Sequence, residues 1–454
     1  MGPEVVMKFG GTSVGTAEAM RQVASLVASE PRWPVVVVSA LGGVTNKLLE
    51  TASCAVKGEE WEPALRDIIG RHHNMISDLE LEPGMLSDLE EEMERWLRGV
   101  ALLREMSPRV KDALLSLGER MSVRLLAGVL TQQGIVAKAR PCASWELGLE
   151  TDGRHNKADV LSSCLEQIQH KIGQLSPGEV PVITGFIGRS IDGEITTLGR
   201  GGSDFSAAVF GAAIGVQEIQ IWTDVPGFLR ADPRVVDNPK LIPAMEFDEA
   251  AELAYFGAKV LHPRTLEPAR KRNIPVRVMG TFHVKPEELA EGKAVGTLIT
   301  NSEARENLRA LAIRENVDTL HIHSLRMLEA PGFLARIFNI LANYQISVDV
   351  LATSEVSVSM TFDNYERAQL DKAIHEIEEF AKVNFHPDRS IICLVGAKLR
   401  NDTMLIGRVF SLLGKNEVPL EVISQGASQI NLTFVTEAKF GRAAMKALHD
   451  EFFL

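Results

Sequence analysis

The sequence predicts an α/β protein with a layered, mainly parallel sheet in its first part and a duplicated smaller unit in the remainder. Up to about residue 280, short β-branched runs alternate with segments of helical period, which is typical of strands joined by crossover helices. A charged stretch over residues 301–316 then predicts a domain boundary. Beyond it, residues 332–362 match residues 404–434 without a gap, at a constant offset of 72, so one unit is present twice.

The strands of the first part are predicted from continuous apolar runs, because strands covered on both faces carry few polar residues. These runs lie at residues 35–38, 180–184, 219–222 and 276–279. Asp192-Gly193 predicts a two-residue antiparallel hairpin. A period of 3.6 residues over 86–103 predicts an amphipathic helix that covers the core with Leu86, Leu89, Met93, Trp96, Leu97, Val100 and Leu103.

Each copy of the repeated unit begins with a helical stripe, which in the first copy is Leu334, Ile337, Phe338 and Leu341. A predicted strand at 346–351 follows, and then an alternating strand at 356–362. This order is half of a ferredoxin-like module. Two copies are too few for a solenoid, so the pattern favours a paired regulatory domain, with a duplicated structural cap as the alternative.

Composition excludes several classes of protein. The 454 residues suffice for about three domains, and 45% hydrophobic with 24% charged residues is typical of a globular chain. A net charge of −12 without a basic block argues against nucleic acid or an anionic membrane as a partner. The absence of a long apolar run or a signal-like N-terminus predicts a cytoplasmic location. The four cysteines are far apart and predict neither structural zinc nor a disulfide framework.

The first glycine-rich turn, Lys8-Phe9-Gly10-Gly11-Thr12-Ser13, lies between a predicted strand and a helix at 16–29. Glycine amides, a helix N-terminus and a lysine together suit a phosphate group. The order differs from a Walker A loop, whose lysine follows the glycines. A plain structural turn is the alternative for this motif alone.

Two more turns of this kind follow, at residues 39–46 and at Gly199-Arg200-Gly201-Gly202-Ser203-Asp204. Ligands of open α/β sheets bind at such carboxyl ends of strands. Arg200 would clamp a carboxylate through two N–H bonds. Asp204 would orient a lysine or a water molecule, or cap the following helix. Further along, a predicted helix over 247–260 presents Lys259 near its end.

Taken together, these motifs resemble the aspartate kinases of the amino-acid kinase superfamily over essentially the whole chain. The motifs are Lys8-Phe-Gly-Gly-Thr-Ser, Gly118-Glu119-Arg120, Gly199-Arg200-Gly-Gly-Ser-Asp204, Trp222-Thr-Asp-Val-Pro-Gly227, Asp232-Pro-Arg234 and Phe256-Gly-Ala-Lys259-Val-Leu-His-Pro263. The resemblance implies a three-layer amino-acid kinase sandwich over residues 1–300. The repeated unit resembles paired ACT domains, at 301–387 and 388–454, with strands that may exchange between them.

The resemblance also implies site residues, with ATP and Mg²⁺ as cofactors and no assignment of metal ligands. Lys8 and Asp204 would be catalytic. The nucleotide would contact Lys8, Phe9, Gly10, Gly11, Thr223, Asp224, Leu229, Arg234, Lys259 and Val260. Leu229 stands where many relatives carry an aromatic residue. The substrate L-aspartate would contact Thr45, Glu119, Arg200, Gly201, Gly202 and Ser203.

The implied activity is ATP-dependent phosphorylation of the β-carboxylate of L-aspartate, as the first step of lysine, threonine and methionine biosynthesis. The alternatives are a non-catalytic amino-acid sensor and a kinase for another acidic amino acid. The first ACT domain resembles that of the lysine-sensitive group, in a homodimer or a dimer of dimers. L-Lysine would contact Met327, Gly332, Phe333, Leu334, Ser347, Val348, Asp349, Ser354 and Glu355.

A partial physical reason supports lysine as the effector. Lysine carries two ammonium groups, and the first copy offers two carboxylates, Asp349 and Glu355. At the corresponding positions the second copy has Glu421 and Ala427. A solvated strand edge is the alternative explanation for these acids.

Overall fold

A computed structural model describes residues 2–132, 134, 138–257, 261–293, 295–301, 306–328, 330–397, 399, 402–426 and 429–454. The chain forms two compact units. The first contains Met1–Phe228, Leu241–Phe247 and Lys259–Ser302. The second contains Leu229–Lys240, Asp248–Ala258 and Glu303–Leu454. Two internal segments of the predicted kinase region therefore belong to the second unit.

The first unit is built on an eight-stranded sheet in the order β3-β5-β2-β1-β8-β10-β11-β9, and on a three-stranded sheet in the order β4-β6-β7. All neighbours in the larger sheet are parallel except β10 and β11. The strands are β1 (Val5–Phe9), β2 (Pro34–Val38), β3 (Lys138–Cys142), β4 (Glu150–Thr151), β5 (Glu179–Thr184), β6 (Ile187–Ser190), β7 (Ile195–Thr197), β8 (Glu218–Thr223), β9 (Ala244–Glu246), β10 (Val276–Gly280) and β11 (Thr297–Thr300). The predicted α/β class with a mainly parallel sheet is confirmed.

Helices cover this sheet and supply most of the core. They are α1 (Ala17–Ser29), α2 (Val44–Lys57), α3 (Glu62–Asp78), α4 (Ser87–Leu103), α5 (Pro108–Gln132), α6 (Cys164–Gly173), α7 (Gly202–Ile214), α8 (Phe247–Phe256), α9 (Glu267–Lys271) and α10 (Pro286–Ala290). Of these, α8 lies in the second unit apart from its first residue. Among the described residues, no helix is both long enough and apolar enough to cross a bilayer.

Several local predictions for the first unit are confirmed and others need correction. The four apolar runs form β2, β5, β8 and β10, and the amphipathic helix is α4, with Leu103 exposed instead of buried. The hairpin at Asp192-Gly193 joins β6 to β7 through a longer loop than predicted. The last backbone hydrogen bond of the hairpin runs from Ser190 N to Glu194 O, so the loop also includes Ile191. It belongs to the smaller sheet. The predicted helix over 247–260 ends at Phe256, and residues 258–260 lie outside the described part of the chain.

The second unit contains one six-stranded sheet, in the order β13-β14-β12-β15-β17-β16. Its neighbouring strands are antiparallel. Each copy of the repeat has the order βαββα. The elements are β12 (Ala310–His323), α11 (Phe333–Asn343), β13 (Leu351–Thr353), β14 (Ser357–Phe362), α12 (Arg367–Glu378), β15 (Lys382–Val395), α13 (Thr403–Lys415), β16 (Val422–Gln425), β17 (Asn431–Glu437) and α14 (Ala438–Phe453).

The two central strands of this sheet, β12 and β15, are 14 residues long and serve both copies. Residues 318–323 of β12 pair with β14 of the first copy, and residues 389–395 of β15 pair with β17 of the second. The two strands also pair with each other from Ala310 opposite Val395 to His323 opposite Lys382. The copies therefore share one continuous backbone hydrogen-bond network.

One expectation for the second unit was wrong in extent. The strand predicted at 346–351 begins only at Leu351. Before it, Asp349 N donates to Thr361 O and Thr361 N donates to Val350 O, but Val350 N donates to the side-chain hydroxyl of Thr361 (2.9 Å), so the pairing is irregular. The end of the charged stretch 301–316 belongs to a strand, since β12 begins at Ala310. Its charges are accommodated because Arg314 Nη1 lies 3.0 Å from a carboxylate oxygen of Asp363.

Candidate active site

Two glycine-rich turns meet where β1 and β2 end. Gly42 N donates to Gly11 O at 2.9 Å. A Cβ atom on Gly11 would lie 2.9 Å from Ala40 O and 3.1 Å from Gly42 Cα, which is too close for a side chain. The first turn therefore needs glycine at this position, and the two turns form one edge of a site.

The third turn brings an acid to this edge. Helix α7 begins at Gly202 after an N-cap at Gly201, whose φ of +72° lies in the left-handed region. Asp204 is thus in the first helical turn and is not the N-cap that the sequence allowed. Its carboxylate Oδ1 lies 2.5 Å from Lys8 Nζ, and both side chains are about nine-tenths buried. The ion pair fixes the lysine ammonium at the carboxyl end of β1.

These turns enclose a cavity of about 720 Å³ within the first unit. Among the predicted site residues, the cavity is lined by Lys8, Gly11, Thr45, Glu119, Arg200, Gly201, Gly202, Ser203 and Asp204. Arg200 is exposed and forms no recorded ion pair among the described residues. Lysine and arginine side chains thus face a space that two carboxylates, Glu119 and Asp204, also line. Such a cavity suits a ligand that carries both charges.

Glu119 is the most perturbed acid of the cavity. Helix α5 places it in the interior, where it is 3% exposed and Oε1 accepts a hydrogen bond of 3.2 Å from Ala40 N. Its other oxygen, Oε2, has no hydrogen-bond partner among the described residues. Burial raises the pKa of Glu119 to about 8, because the charged form loses its hydration. A cationic group beside Oε2 would restore the carboxylate.

The remaining predicted nucleotide residues are not lining residues of this cavity. Phe9 packs in the core and stacks on Trp222 at 5.7 Å, so only its backbone is accessible to a ligand. Gly10 lies beside Lys8 Nζ. At the end of β8, the Thr223 hydroxyl donates to Asp224 Oδ1 at 3.0 Å.

Four further nucleotide residues fall outside the described part of the first unit. Leu229 and Arg234 belong to the second unit, where Arg234 bonds to both carboxylate oxygens of Asp232. Lys259 and Val260 lie outside the described residues.

The predicted effector residues cluster in the first copy of the repeat. Gly332 caps α11 with a φ of +88°, and the Ser354 hydroxyl lies 2.7 Å from that of Ser357. Ser347 and Glu355 are exposed. The side chains that pack partly against the core of this copy are Met327, Phe333, Leu334 and Val348.

Asp349 is the acid of this cluster that is withdrawn from solvent. Its side chain is 7% exposed, Oδ1 accepts a hydrogen bond of 2.7 Å from the Tyr255 hydroxyl, and Arg314 Nη1 lies 3.6 Å away. Its Oδ2 has no hydrogen-bond partner among the described residues. Burial raises the pKa of Asp349 above its usual range.

Sequence reasoning missed several residues of the active site, among them Lys111, which lines the cavity. Asn156 lines the cavity, and Asp112, fully buried seven residues before Glu119 on α5, bonds to the backbone of Asn156. The sequence offered one signal for Asp112, an aspartate on a helix that is otherwise mostly apolar. Its hydrogen-bond partners could not be predicted, because they are remote in sequence. Among the described residues, no group of three or more histidine, cysteine or acidic side chains is arranged to hold a metal ion.

Comparison with known proteins decides the family. A family model described as "Amino acid kinase family" matches residues 3–280, and a model described as "ACT domain" matches residues 392–452. Lysine-sensitive aspartokinase 3 of Escherichia coli is 36% identical, with 99% of both chains covered. The chain belongs to the aspartokinases. Aspartokinase 3, chloroplastic, of Arabidopsis thaliana is 40% identical to this aspartokinase. The alignment covers 99% of this chain and 81% of the relative.

Solved structures agree with this placement. The crystal structure of E. coli aspartokinase III in complex with aspartate and ADP has a TM-score of 0.83 to this aspartokinase, at 34% identity, and covers 99% of this chain and 100% of that one. The same protein in complex with lysine and aspartate gives a TM-score of 0.78, with the same identity and coverage. The predicted enzyme class, aspartate kinase, is thereby confirmed. The alternatives of a non-catalytic sensor and a kinase for another acidic amino acid find no support in these comparisons.

Proposed function

We propose that this aspartokinase transfers the γ-phosphoryl group of ATP to the β-carboxylate of L-aspartate, and that Lys8 and Asp204 act at the reacting phosphate. The observation that carries the proposal is the 2.5 Å ion pair between Lys8 and Asp204 on the wall of the cavity. A lysine held rigidly by a buried acid stabilises developing phosphate charge without having to reorganise.

The chemistry needs little covalent help from the protein. A β-carboxylate oxygen forms a bond to the γ-phosphorus while the bond from that phosphorus to the β–γ bridging oxygen breaks, which releases ADP and 4-phospho-L-aspartate. The carboxylate of aspartate is ionised at neutral pH, so no base has to remove a proton. Positioning and charge neutralisation then account for catalysis.

Recognition of aspartate follows from the charges of the cavity. Glu119 meets the α-ammonium group, since its Oε2 is buried without a hydrogen-bond partner among the described residues. Arg200 pairs with the α-carboxylate, because its guanidinium is exposed at the cavity and has no recorded ion pair within the described chain. The residues that place the β-carboxylate are Thr45 and Ser203, with the amides of Gly201 and Gly202.

ATP enters with its phosphates against the amides of Gly10 and Gly11. Thr223, the last residue of β8, and Asp224, which follows it, lie at the same edge of the sheet. Mg²⁺ would neutralise phosphate charge when bound. Of the two carboxylates that line the cavity, Asp204 is already paired with Lys8, so the ion would be held chiefly by phosphate oxygens and water. Nucleotide contacts by Phe9, Leu229, Arg234, Lys259 and Val260 stay predictions.

A direct assay tests this activity. ADP release is followed with ATP, Mg²⁺ and L-aspartate, and the phosphorylated product is trapped with hydroxylamine as the hydroxamate. L-Glutamate and N-acetyl-L-glutamate serve as alternative acceptors. Turnover with aspartate but not with the other two acceptors supports the proposal. Faster turnover with L-glutamate or N-acetyl-L-glutamate would contradict it.

We further propose that L-lysine inhibits the enzyme by binding to the first copy of the repeat. The E. coli relative is named lysine-sensitive, and one of its crystal structures contains lysine. In this chain Asp349 Oδ2 is buried and has no partner among the described residues, and Glu355 is exposed nearby in sequence. The equivalent acid of the second copy, Glu421, is already paired with Arg389 at 2.8 Å. Ala427 lies outside the described residues.

The first copy also supports self-association. Leu325, Leu328 and Leu351 are exposed there to 76%, 51% and 37%. Large exposed apolar side chains are common at interaction sites. A homodimer or a dimer of dimers is the assembly that we propose, and light scattering measures it. The cytoplasmic location and the place in lysine, threonine and methionine biosynthesis stay predictions, which fractionation and complementation of an auxotroph test.

A further inference from the structure

Asp112 anchors two segments of the active site. It is fully buried on α5, and its carboxylate accepts hydrogen bonds from Asn156 N (2.9 Å), His155 Nδ1 (2.9 Å) and Thr197 N (3.2 Å). The hydroxyl of Thr197 donates a further bond of 2.6 Å. A buried carboxylate that receives this many donors holds its partners in one geometry.

The anchored loop carries Asn156 into the substrate cavity. Asn156 has a φ of +65°, a left-handed conformation that asparagine tolerates better than most residues, and it lines the same cavity as Glu119. The loop also packs on the third glycine-rich turn, because a Cβ atom on Gly199 would lie 3.3 Å from Asn156 O. The residue is therefore fixed next to the turn that carries Arg200.

The side-chain oxygen of Asn156, Oδ1, is buried and has no hydrogen-bond partner among the described residues. Such an acceptor is costly to leave unpaired in a folded protein, so a donor from a ligand is the expected partner. Glu119 Oε2, on another residue that lines the cavity, is in the same condition. Asp204 Oδ1 also has no hydrogen-bond partner among the described residues, but it is paired with Lys8. An ammonium group has three donors and satisfies both Asn156 Oδ1 and Glu119 Oε2.

We infer that Asn156 is a specificity-determining residue that accepts a hydrogen bond from the α-ammonium group of aspartate, and that Asp112 is the positioning residue that holds it. The inference rests on the proposed assignment of Glu119 to this ammonium group. A neutral amide adds an acceptor without adding a negative charge beside a substrate with two carboxylates, which a second acid would repel.

The test uses Asn156→Gly in the full-length enzyme, because glycine keeps the left-handed backbone and removes the amide. We expect the KM for L-aspartate to rise roughly 10-fold, with kcat within about twofold of wild type and the KM for ATP unchanged. Asn273→Gly is the matched control, since Asn273 is an exposed asparagine of the same unit with a φ of +53°. This variant is expected to behave like wild type.

Succinate, which is aspartate without the ammonium group, separates a direct contact from a structural effect. As a competitive inhibitor it should bind to wild type and to Asn156→Gly with inhibition constants within about twofold of each other. Equal weakening of aspartate and succinate, or an unchanged KM for aspartate, would overturn the inference. If wild type fails to turn over aspartate at all, the proposed function fails instead.

Asp112→Asn tests the positioning role. This variant should raise the KM for aspartate at least as much as Asn156→Gly does, and the double variant should show less than the product of the two effects, because both act through one contact. Fully multiplicative effects would contradict the positioning role. If Asp112→Asn does not fold, as judged by circular dichroism, Asn156→Gly and succinate alone decide the inference.

Discussion

The hydroxyl of Tyr255 donates a hydrogen bond of 2.7 Å to Oδ1 of Asp349. Arg314 completes this contact, because its Nη2 donates to Tyr255 O at 2.6 Å and its guanidinium lies 4.9 Å from the centre of the tyrosine ring. Three residues before Tyr255 on α8, Glu252 accepts a hydrogen bond of 2.7 Å from Asn431 of the second copy. One helix thus contacts both copies of the repeat, and Tyr255 shares the carboxylate of Asp349 with any ammonium group that binds at Oδ2.

Removal of the tyrosine hydroxyl should change the response to lysine. In Tyr255→Phe, Asp349 loses the donor at Oδ1, so its carboxylate keeps more negative charge for a lysine ammonium group at Oδ2. One hydrogen bond of about 1 kcal/mol corresponds to a half-inhibitory lysine concentration roughly fivefold lower. Lysine titrations of activity measure this value. Tyr365→Phe is the control, because that hydroxyl bonds to Asp318 in the same copy, and an unchanged lysine response of Tyr255→Phe would refute the influence of Tyr255 on lysine binding.

Lys8→Ala should lower kcat by roughly 10² to 10³, because the lysine is proposed to stabilise charge that develops on the transferring phosphoryl group. The measurement is steady-state ADP release at saturating substrates. Lys57→Ala, an exposed lysine at the end of α2, is the control. Kinetics of Lys8→Ala close to wild type would mean that the Gly10-Gly11 turn has only a structural role.

Arg200→Ala should mainly weaken the binding of aspartate. Loss of a charge-assisted, bidentate contact costs on the order of 1.5 to 3 kcal/mol, which corresponds to a roughly 10- to 150-fold rise in the KM for aspartate. The KM for ATP should change much less. Initial rates with each substrate varied in turn distinguish these effects, and an unaltered kcat/KM for aspartate would exclude Arg200 from the carboxylate site.

The pH dependence of aspartate use should report Glu119. Its pKa of about 8 means that below pH 8 the ligand-free enzyme holds a neutral carboxyl group, which binds an ammonium group poorly. The value of kcat/KM for aspartate should therefore rise with pH up to about 8 and then level off. Glu119→Gln should lose this rise. A profile that is flat from pH 6 to 8 in wild type would contradict the role of Glu119.

The same substitution should stabilise the folded protein at alkaline pH. The pKa of Glu119 is higher in the folded protein than in the unfolded chain, so its contribution to stability is present below about pH 4.5 and is lost as pH rises through 8. Glu119→Gln removes this loss, and its free energy of unfolding at pH 9 should exceed that of wild type by on the order of a few kcal/mol. Urea unfolding at pH 5 and pH 9 measures the difference, which should shrink towards pH 5.

Much of the site was predictable because its parts obey local rules. Lys8 lies at the end of β1, just before a glycine-rich turn, and parallel strands bring the turns that follow β1 and β2 to one edge of the large sheet. Arg200 lies in a glycine-rich turn after β7 of the smaller sheet. Glu119 followed from family resemblance, since a glutamate inside a helix has no local signature. The contact between Asp112 and Asn156 could not be predicted, because the bonds of Asp112 join residues 44 and 85 positions apart.

The fold shows the same division between local and remote causes. Continuous apolar runs predicted four strands of the large sheet, β2, β5, β8 and β10, whose residues are mostly buried. The pattern failed at 346–351, where the side chain of Thr361 replaces a backbone acceptor for Val350. It also failed at Ala310, because charged neighbours concealed a strand whose arginine is neutralised by an acid far along the chain. Neither partner is visible in a local window.

The shared strands β12 and β15 mean that the two copies of the repeat have lost their independence. A cut between the copies would leave either fragment with a long unpaired edge, because each central strand donates hydrogen bonds to the other along most of its length. The duplicated segments therefore cannot be exchanged or deleted one at a time, as independent tandem domains can be. A sequence change in β12 acts on both copies at once, so we expect the pair to unfold as a single cooperative element.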